Sequence, residues 1–250
     1  MGADTVVANV ADELARRVAE GRYRPGELMP SVRQVAEEFA MNRATAQLTL
    51  GRLESYGFVQ ARRGKGFTIH EVRAAGGLEV YRHLFRFSLE HPELAVAMFG
   101  DIVEAERELV REVLLAYTAS ERVVDRAELA AAVAELEALT RRAAPDPRRI
   151  LAVEVALVRR LFTALDATIR RAMFNSIGEM VLEVPEAVQA FFVSSADLHV
   201  LVWRSLLAVW DSGGAPSPAQ QALFDDLFAD YHDRVLVRFR ELVVGRATTA

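Results

Sequence analysis

Residues 28–69 read LMPSVRQVAEEFAMNRATAQLTLGRLESYGFVQARRGKGFTI, and this stretch decides the fold of the first part of the chain. Ser31 and Gln34 have the spacing of a capping box, in which each side chain binds the other residue's backbone N–H where a helix begins. Asn42 is suited to cap a second helix, and Gly57 is typical of a helix stop. The pattern therefore predicts two short helices separated by a tight turn.

The second helix is followed by a short basic hairpin. Ala46, Leu50 and Leu53 recur at helical spacing and predict the buried stripe of that helix. Residues 58–69 then contain two β-like segments, FV and FTI, joined by the basic turn ARRGKG at residues 61–66. A helix, a turn, a second helix and a basic hairpin are the parts of a winged helix-turn-helix.

Residues 30–69 resemble the DNA-binding domain of the GntR family of bacterial transcription regulators, and the match runs without a gap. The resemblance implies that the start of the second helix, the hairpin and an arginine on the preceding helix contact DNA. The chemistry is suitable, because arginine can donate two hydrogen bonds to guanine, while Asn, Thr and Gln can reach bases or phosphates. The residues expected at the DNA interface are Arg33, Asn42, Arg43, Ala44, Thr45, Gln47, Arg63, Gly64, Lys65 and Gly66.

The net charge of −5 is unevenly distributed along the 250 residues. Residues 31–65 hold six basic and three acidic side chains, so the segment that resembles a DNA-binding domain is locally basic. Apolar residues make up 52%, no apolar run is long enough for a transmembrane helix, and no signal peptide is evident. The absence of cysteine excludes disulfides and thiolate metal sites. These features predict a cytoplasmic protein with no membrane partner.

The rest of the chain shows helical periodicity only, which predicts a mostly α protein with an antiparallel bundle of six or seven helices after the winged domain. We expect a DNA-binding domain over 1–70, a linker over 71–77 with the sequence EVRAAGG, and an all-helical effector-binding and dimerisation domain over 78–250. The expected helices are 6–20, 78–89, 92–117, 125–143, one or two within 148–183, 186–210 and 219–244.

An all-helical second domain is similar to the FadR-like branch of the family. Many members of this branch bind a metal through an Asp–His pair and two later histidines, and the resemblance maps these positions to Val155, Arg159, His199 and His232. Valine cannot ligate a metal and arginine opposes a cation, so we expect no metal and no other cofactor. The expected effector-binding residues are Arg159, Asn175, His199, Trp203, Tyr231 and His232.

These observations predict a transcription regulator that binds a palindromic double-stranded operator as a homodimer, and an effector that releases it from DNA would make it a repressor. The resemblance implies a small-molecule effector, a fatty acid or an acyl-CoA. The alternative is a metal-dependent GntR regulator that senses a small carboxylate. An enzyme is not expected, because no catalytic residues are found at enzymatic spacing. The effector, the operator sequence, the target genes, the choice between repression and activation, and any metal binding by His199 and His232 stay open.

Overall fold

The computed structural model of the chain describes residues 3–121, 124–193, 195–213 and 216–247. The chain divides into two compact units, residues 1–87 and residues 88–250. The elements of the first part are α1 (Ala3–Ala19), α2 (Val32–Glu38), α3 (Arg43–Ser55), β1 (Val59–Arg62), β2 (Gly66–Ile69), α4 (Val72–Ala75) and α5 (Leu78–Ser88). The expected mostly α fold class, with a winged helix-turn-helix at the N-terminus, is confirmed.

The two predicted caps fix the positions of α2 and α3. Ser31 and Gln34 form the capping box, since the Gln34 side chain accepts a hydrogen bond from the Ser31 backbone N–H at 2.9 Å. Asn42 caps α3, where its Oδ1 accepts from the backbone N–H of Thr45 at 2.8 Å. Both caps are confirmed, and they satisfy backbone donors that a helix start would otherwise leave unpaired.

Helix α3 packs its apolar stripe against α1. Ala46, Leu50 and Leu53 are fully buried, as expected, together with Leu14 of α1. Arg17 of α1 also reaches out of this interface to α2, where its Nη1 lies 2.6 Å from Glu38 Oε1. The core of the first unit therefore holds α3 by its inner face and leaves its outer face free of the core.

Gly57 ends α3 in a conformation that requires glycine. Its φ is +83°, and an added Cβ would lie 2.6 Å from Val80 Cγ2. A side chain at this position would therefore meet both backbone strain and a clash. The turn made by Gly57 directs the chain into the hairpin.

The hairpin is longer than expected. Strands β1 and β2 pair antiparallel from Val59 opposite Ile69 to Arg62 opposite Gly66, so only residues 63–65 remain in the turn. The predicted strands were 58–59 and 67–69, because the sequence ARRGKG lacks apolar residues and favours a loop. Backbone pairing extends into it nevertheless, since an edge hairpin needs no buried side chains on its exposed part.

In the second part of the chain, every secondary-structure element among the described residues is an α-helix. Its elements are α6 (Pro92–Thr118), α7 (Arg126–Thr140), α8 (Pro147–Ala164), α9 (Thr168–Glu183), α10 (Pro185–Phe191), α11 (Ala196–Ser212) and α12 (Pro218–Ala247). Helix α6 packs against α12, α8 against α9, and α7 against both α8 and α11. The fully buried side chains at the centre of the unit include Leu136, Leu139, Ile150, Phe162 and Phe174.

One predicted helix of this part is wrong. Residues 186–210 were expected to form a single helix, but the chain leaves helical geometry after Phe191 and re-enters it after Ser195, whose backbone is extended. Counted from Leu78 over the described residues, the chain therefore forms eight helices and not six or seven. The predicted loop 211–218 includes residues 214 and 215, which lie outside the described residues.

The predicted linker 71–77 contains the single turn of α4, whose Val72 is buried. Helix α5 falls in the first compact unit, whereas the sequence assigned it to the second. The predicted boundaries, a DNA-binding domain that ends at residue 70 and an effector-binding domain that begins at residue 78, stay a prediction.

Among the described residues, no single helix has the length and apolar character needed to cross a membrane. Within the same residues, α10 and α11 are the only pair that meets these criteria together, and the two helices are bent by 61° relative to each other.

Candidate nucleic-acid interface and effector site

The outer face of α3 presents its polar first turn to solvent. Arg43, Ala44 and Gln47 are exposed, while Thr45 is half-buried, with its backbone N–H bonded to Asn42. The first turn of a helix also carries the positive end of the helix dipole, which favours a nearby phosphate. This end of α3 can therefore combine phosphate binding with contacts to base edges.

The Asn42 side chain has a structural role that limits its contacts with DNA. Because its Oδ1 is occupied by the cap to Thr45 at 2.8 Å, only its amide N–H groups remain for a phosphate or a base. These N–H groups can donate hydrogen bonds to acceptors such as phosphate oxygens. Asn42 is thus best suited to position α3.

Arg33 projects from α2, and its side chain is 72% exposed. Its Nε lies 2.8 Å from Oε1 of Glu37, one helical turn along. Exposed pairs of this kind contribute only about 0.3–0.5 kcal/mol, so a phosphate can replace Glu37 at little cost. The guanidinium of Arg33 can then donate two parallel hydrogen bonds to that phosphate.

The tip of the hairpin is an exposed basic turn. Arg63, Gly64 and Lys65 connect the strands, and the Lys65 N–H donates to the Arg62 carbonyl at 2.9 Å. Gly64 has a φ of +74°, which allows the chain to reverse within three residues. Gly66 follows as the first residue of β2.

The base of the hairpin is fixed to the rest of the unit. Glu54 of α3 accepts a hydrogen bond from the Ala61 backbone N–H at 2.6 Å, and the Met29 N–H donates to the Phe67 carbonyl at 2.8 Å. The wing is therefore held in a defined place relative to α3. The start of α3, α2 and the wing carry the ten residues expected at the DNA interface, which stay a prediction.

The expected effector residues lie in two groups in the helical unit. Arg159 of α8 and Asn175 of α9 form one pair, in which Arg159 Nε donates to Asn175 Oδ1 at 2.7 Å. The guanidinium is exposed and its described partner is a neutral amide. An anionic group could therefore approach this guanidinium.

His199 and Trp203 of α11 converge on a carboxylate of α8 that is 14% exposed. Glu154 accepts from Trp203 Nε1 at 3.1 Å, and its Oε2 lies 2.9 Å from His199 Nδ1. Burial opposes protonation of His199, but the hydrogen bond and charge of Glu154 outweigh it and raise the pKa of His199. Its Nε2 is buried and has no hydrogen-bond partner among the described residues.

His232 and Tyr231 of α12 form the second half of this cluster. His232 Nδ1 lies 2.7 Å from the Phe228 carbonyl, and its Nε2 lies 3.0 Å from Glu106 Oε2. Because both neighbours are oxygen acceptors, one proton must lie between His232 and Glu106. Tyr231 donates to the Phe191 carbonyl at 2.6 Å.

Tyr231 stands between the two carboxylate–imidazole pairs. Its ring centroid is 6.0 Å from that of His199 and 5.1 Å from that of His232. Burial, followed by the nearby charges of Glu154 and Glu106, raises the pKa of Tyr231 well above its ordinary value. The phenol is therefore a neutral hydrogen-bonding group. Four of the six expected effector residues thus form one buried polar cluster.

The two acids of the cluster were missed as site residues, although the sequence carries a signal for them. Glu106 follows buried Val103 by three positions and precedes buried Val110 by four. Glu154 has the same spacing from Leu151 and Val158. An acid on the apolar stripe of a helix is buried when the helix packs, and it needs a partner.

The donors of the cluster do not fit a metal ion. Each carboxylate is hydrogen-bonded directly to an imidazole, at 2.9 Å for Glu154 and 3.0 Å for Glu106, so the groups face each other and not a shared space. Within the described residues, no three His, Cys, Asp or Glu side chains are close enough to hold an ion together. No observation favours the metal-dependent carboxylate sensor.

Three of the clefts in the described part of the helical unit lie away from this cluster. Their volumes are about 170, 390 and 450 Å³, and none of the six expected effector residues lines them. The largest lies between α7 and α11, beside Arg141, Leu201 and Arg204. The buried polar cluster is therefore separate from these three openings.

Comparison with known proteins identifies the N-terminal domain. Residues 7–69 match the family model described as bacterial regulatory proteins, gntR family. The HTH-type transcriptional regulator Mce2R of Mycobacterium tuberculosis is 33% identical over 102 residues, which cover 40% of this chain and 41% of that protein. The uncharacterized HTH-type transcriptional regulator YhcF of Bacillus subtilis is 35% identical over 66 residues, which cover 26% of this chain and 54% of that protein. The matches thus span about two-fifths to half of these relatives.

Two solved structures align over most of the chain at low similarity. Escherichia coli McbR/YncC matches with 15% identity and a TM-score of 0.41, covering 98% of this chain and 97% of that one. The structure of Lar, which controls the expression of the Listeria monocytogenes agr system, matches with 13% identity and a TM-score of 0.48, covering 95% of this chain and 94% of that one. Residues 7–69, which form the capped helices and the wing described above, match the gntR family of bacterial regulatory proteins and fold as a winged helix-turn-helix.

Proposed function

We propose that the protein is a transcription regulator that binds a palindromic operator and acts in the bacterial cytoplasm. The observation that carries the proposal is the exposed, locally basic surface formed by the first turn of α3 and the rigidly held wing. Arg43 has the position and the chemistry to bind guanine, and Lys65 at the wing tip can bind phosphate. The relatives that match this domain are named as transcriptional regulators, so a catalytic role is not proposed.

A homodimer follows from the size of the recognition helix. Helix α3 has 13 residues, and such a helix reads only a few base pairs in one major groove. Two copies related by a two-fold axis would read two half-sites about one helical turn apart, which multiplies specificity. We therefore propose that the operator has the two-fold symmetry of the dimer. Native mass spectrometry of the purified protein tests the dimer directly.

We propose that the effector is an amphipathic acyl compound, a fatty acid or an acyl-CoA. Its binding would release the protein, which acts as a repressor, from DNA. Two features support it: the apolar core of the helical unit and the exposed guanidinium of Arg159, whose charge could meet a carboxylate or phosphate. The polar cluster of His199, Trp203, Tyr231 and His232 would adjoin the bound compound. Release requires that the effector bind the free protein more tightly than the DNA-bound protein.

The DNA-binding proposal is tested with two substitutions of different expected effect. Operator sequences are first selected from a random duplex library. Arg43→Ala should lose about 1–3 kcal/mol of binding to the selected sequence, as expected for a bidentate guanine contact. Lys65→Ala should weaken binding to every sequence and reduce the slope of log K against log salt by about one.

A matched control is Arg142→Ala, which removes an exposed arginine of the helical unit. It should bind all duplexes like the wild type. If Arg43→Ala binds the selected operator as tightly as Arg142→Ala does, α3 is not the recognition helix.

The effector proposal is tested by titrating the DNA-bound protein with saturated acyl-CoAs of increasing length and, separately, with short dicarboxylates. Each buried methylene contributes about 0.8 kcal/mol, so release should strengthen with chain length until the site is full. Arg159→Ala should weaken the response to every acyl chain. Release by a dicarboxylate, with no response to any acyl chain, would refute the acyl class.

A further inference from the structure

Leu48 is a large apolar side chain on the outer face of the recognition helix. It is 64% exposed, and it lies beside exposed Gln47, whereas the next two residues, Thr49 and Leu50, are fully buried. Single exposed leucines are common on protein surfaces and need no explanation by themselves. This leucine, however, lies on the face of α3 that the proposed function places against DNA.

The neighbours of Leu48 make this part of the face an apolar strip. Ala44 lies one helical turn before it and is exposed, and an added Cβ on Gly51, one turn after it, would meet nothing within 4 Å. Side chains on a helix lean toward its N-terminus, so a residue at position 48 covers the turn that contains Ala44. The short Ala44 side chain leaves room beneath the leucine. Arg43 and Gln47 border the strip with polar groups.

The major groove offers one apolar feature that matches such a strip. Among the four bases, only thymine presents a methyl group there, on C5, and apolar side chains recognise it by contact. A polar base edge placed against Leu48 would lose its hydrogen bonds to water without gaining a partner.

We propose that Leu48, supported by Ala44, selects a thymine in each half-site of the operator through contact with the C5 methyl group. This inference rests on the proposed function, since it assigns a specificity to the same recognition helix. It adds a residue that reads DNA by shape and apolar contact beside Arg43 and Gln47, which read hydrogen-bonding groups.

The experiment removes the methyl group without changing base pairing. Wild-type protein first selects binding sites from a random duplex library. In the selected duplex, each thymine is then replaced in turn by deoxyuridine, which lacks only the C5 methyl group. The wild type should lose about fourfold in affinity at one thymine per half-site, the change expected for one buried methyl-sized group.

Leu48→Ala should lose this sensitivity, so that it binds the thymine and deoxyuridine duplexes equally. Alanine is the best helix former, and the replaced side chain is exposed, so the variant should fold normally. The control is Leu227→Ala on α12, where the leucine is 61% exposed and lies in the other unit. This control should keep the fourfold loss on deoxyuridine.

The inference is overturned if the wild type binds every deoxyuridine duplex as tightly as the thymine duplex, or if Leu48→Ala keeps the same loss. It is also overturned if the selected half-site holds no thymine. If the wild type enriches no sequence from the library, the proposed function itself fails, and the inference fails with it.

Discussion

The half-buried carboxylate of Glu154 should contribute strongly to the stability of the helical unit, because it pairs with a buried imidazole and a buried indole. In Glu154→Ala, His199 Nδ1 and Trp203 Nε1 lose the acceptor that now lies 2.9–3.1 Å away. A buried donor left unsatisfied costs about 1–3 kcal/mol, and a buried charge pair that loses one partner typically costs about 3–5 kcal/mol. We therefore expect Glu154→Ala to lower the free energy of unfolding by about 3–5 kcal/mol.

Urea unfolding followed by tryptophan fluorescence measures this loss. The chain has two tryptophans, Trp203 and Trp210, and both lie on α11, so the signal reports on the helical unit. Glu108→Ala is the control, because Glu108 is an exposed acid on α6 and its loss should change stability by less than about 0.5 kcal/mol. Equal midpoints for Glu154→Ala and Glu108→Ala would refute the buried pair.

Glu154→Gln separates the charge from the packing. The pKa of His199 is raised above the ordinary 6.5, so the folded state holds the proton more tightly than the unfolded chain. The resulting stability is fully present below about pH 6.5 and is lost as the pH rises through the folded pKa. Glu154→Gln removes the charge that opposes burial, and only the Phe191 backbone then still favours the protonated ring, so the pKa of His199 should fall.

The free-energy difference between wild type and Glu154→Gln should therefore shrink as the pH rises from below about 6.5 through the raised pKa of His199. Groups that titrate alike in both proteins cancel from this difference. A difference that is constant with pH would contradict the assignment of the raised pKa to Glu154.

Three further substitutions test the fold. Asn42→Ala removes the cap of α3 and should cost about 1 kcal/mol of stability in urea unfolding followed by circular dichroism, since residues 1–87 hold no tryptophan, and it should weaken operator binding in a fluorescence anisotropy titration; an unchanged midpoint would contradict the cap. Gly57→Ala should cost at least about 1–3 kcal/mol in the same unfolding measurement, because its backbone is left-handed and its Cβ would meet Val80; a stabilised variant would show that the turn has another conformation. Leu136→Ala should cost about 2–5 kcal/mol by urea unfolding, since this side chain is fully buried, and a loss below 1 kcal/mol would argue against that packing.

The elements that the sequence predicted correctly depend on local chemistry. The capping box of Ser31 and Gln34, the Asn42 cap and the Gly57 stop each involve residues within a single turn, so their partners can be read from spacing. The outer face of α3 follows from the same periodicity that defines its buried stripe. For this reason the winged domain and the positions of its exposed residues could be predicted in detail.

The features that escaped prediction depend on which helices meet. Apolar periodicity continues through Phe191, so the break before α11 was missed, although Ser195 before Ala196 has the character of a helix start. The partners of Glu106 and Glu154 lie 126 and 45 residues away, on α12 and α11, and no spacing rule connects them. An effector site built from such long-range pairs cannot be read from one sequence.

Lys65 is the one lysine of the 250 residues, since every other basic side chain of the Lys and Arg type is arginine. Amine-directed reagents therefore have one side chain to modify, and it lies at the tip of the hairpin. A protease that cleaves after lysine likewise has one site, and a cut there would yield pieces of 65 and 185 residues, which add up to the 250 of the chain. Acetylation of this amine would remove the positive charge at the wing tip, and bound DNA should shield the position from both reagent and protease. Protection of Lys65 from modification or cleavage would therefore report when DNA is bound at the hairpin.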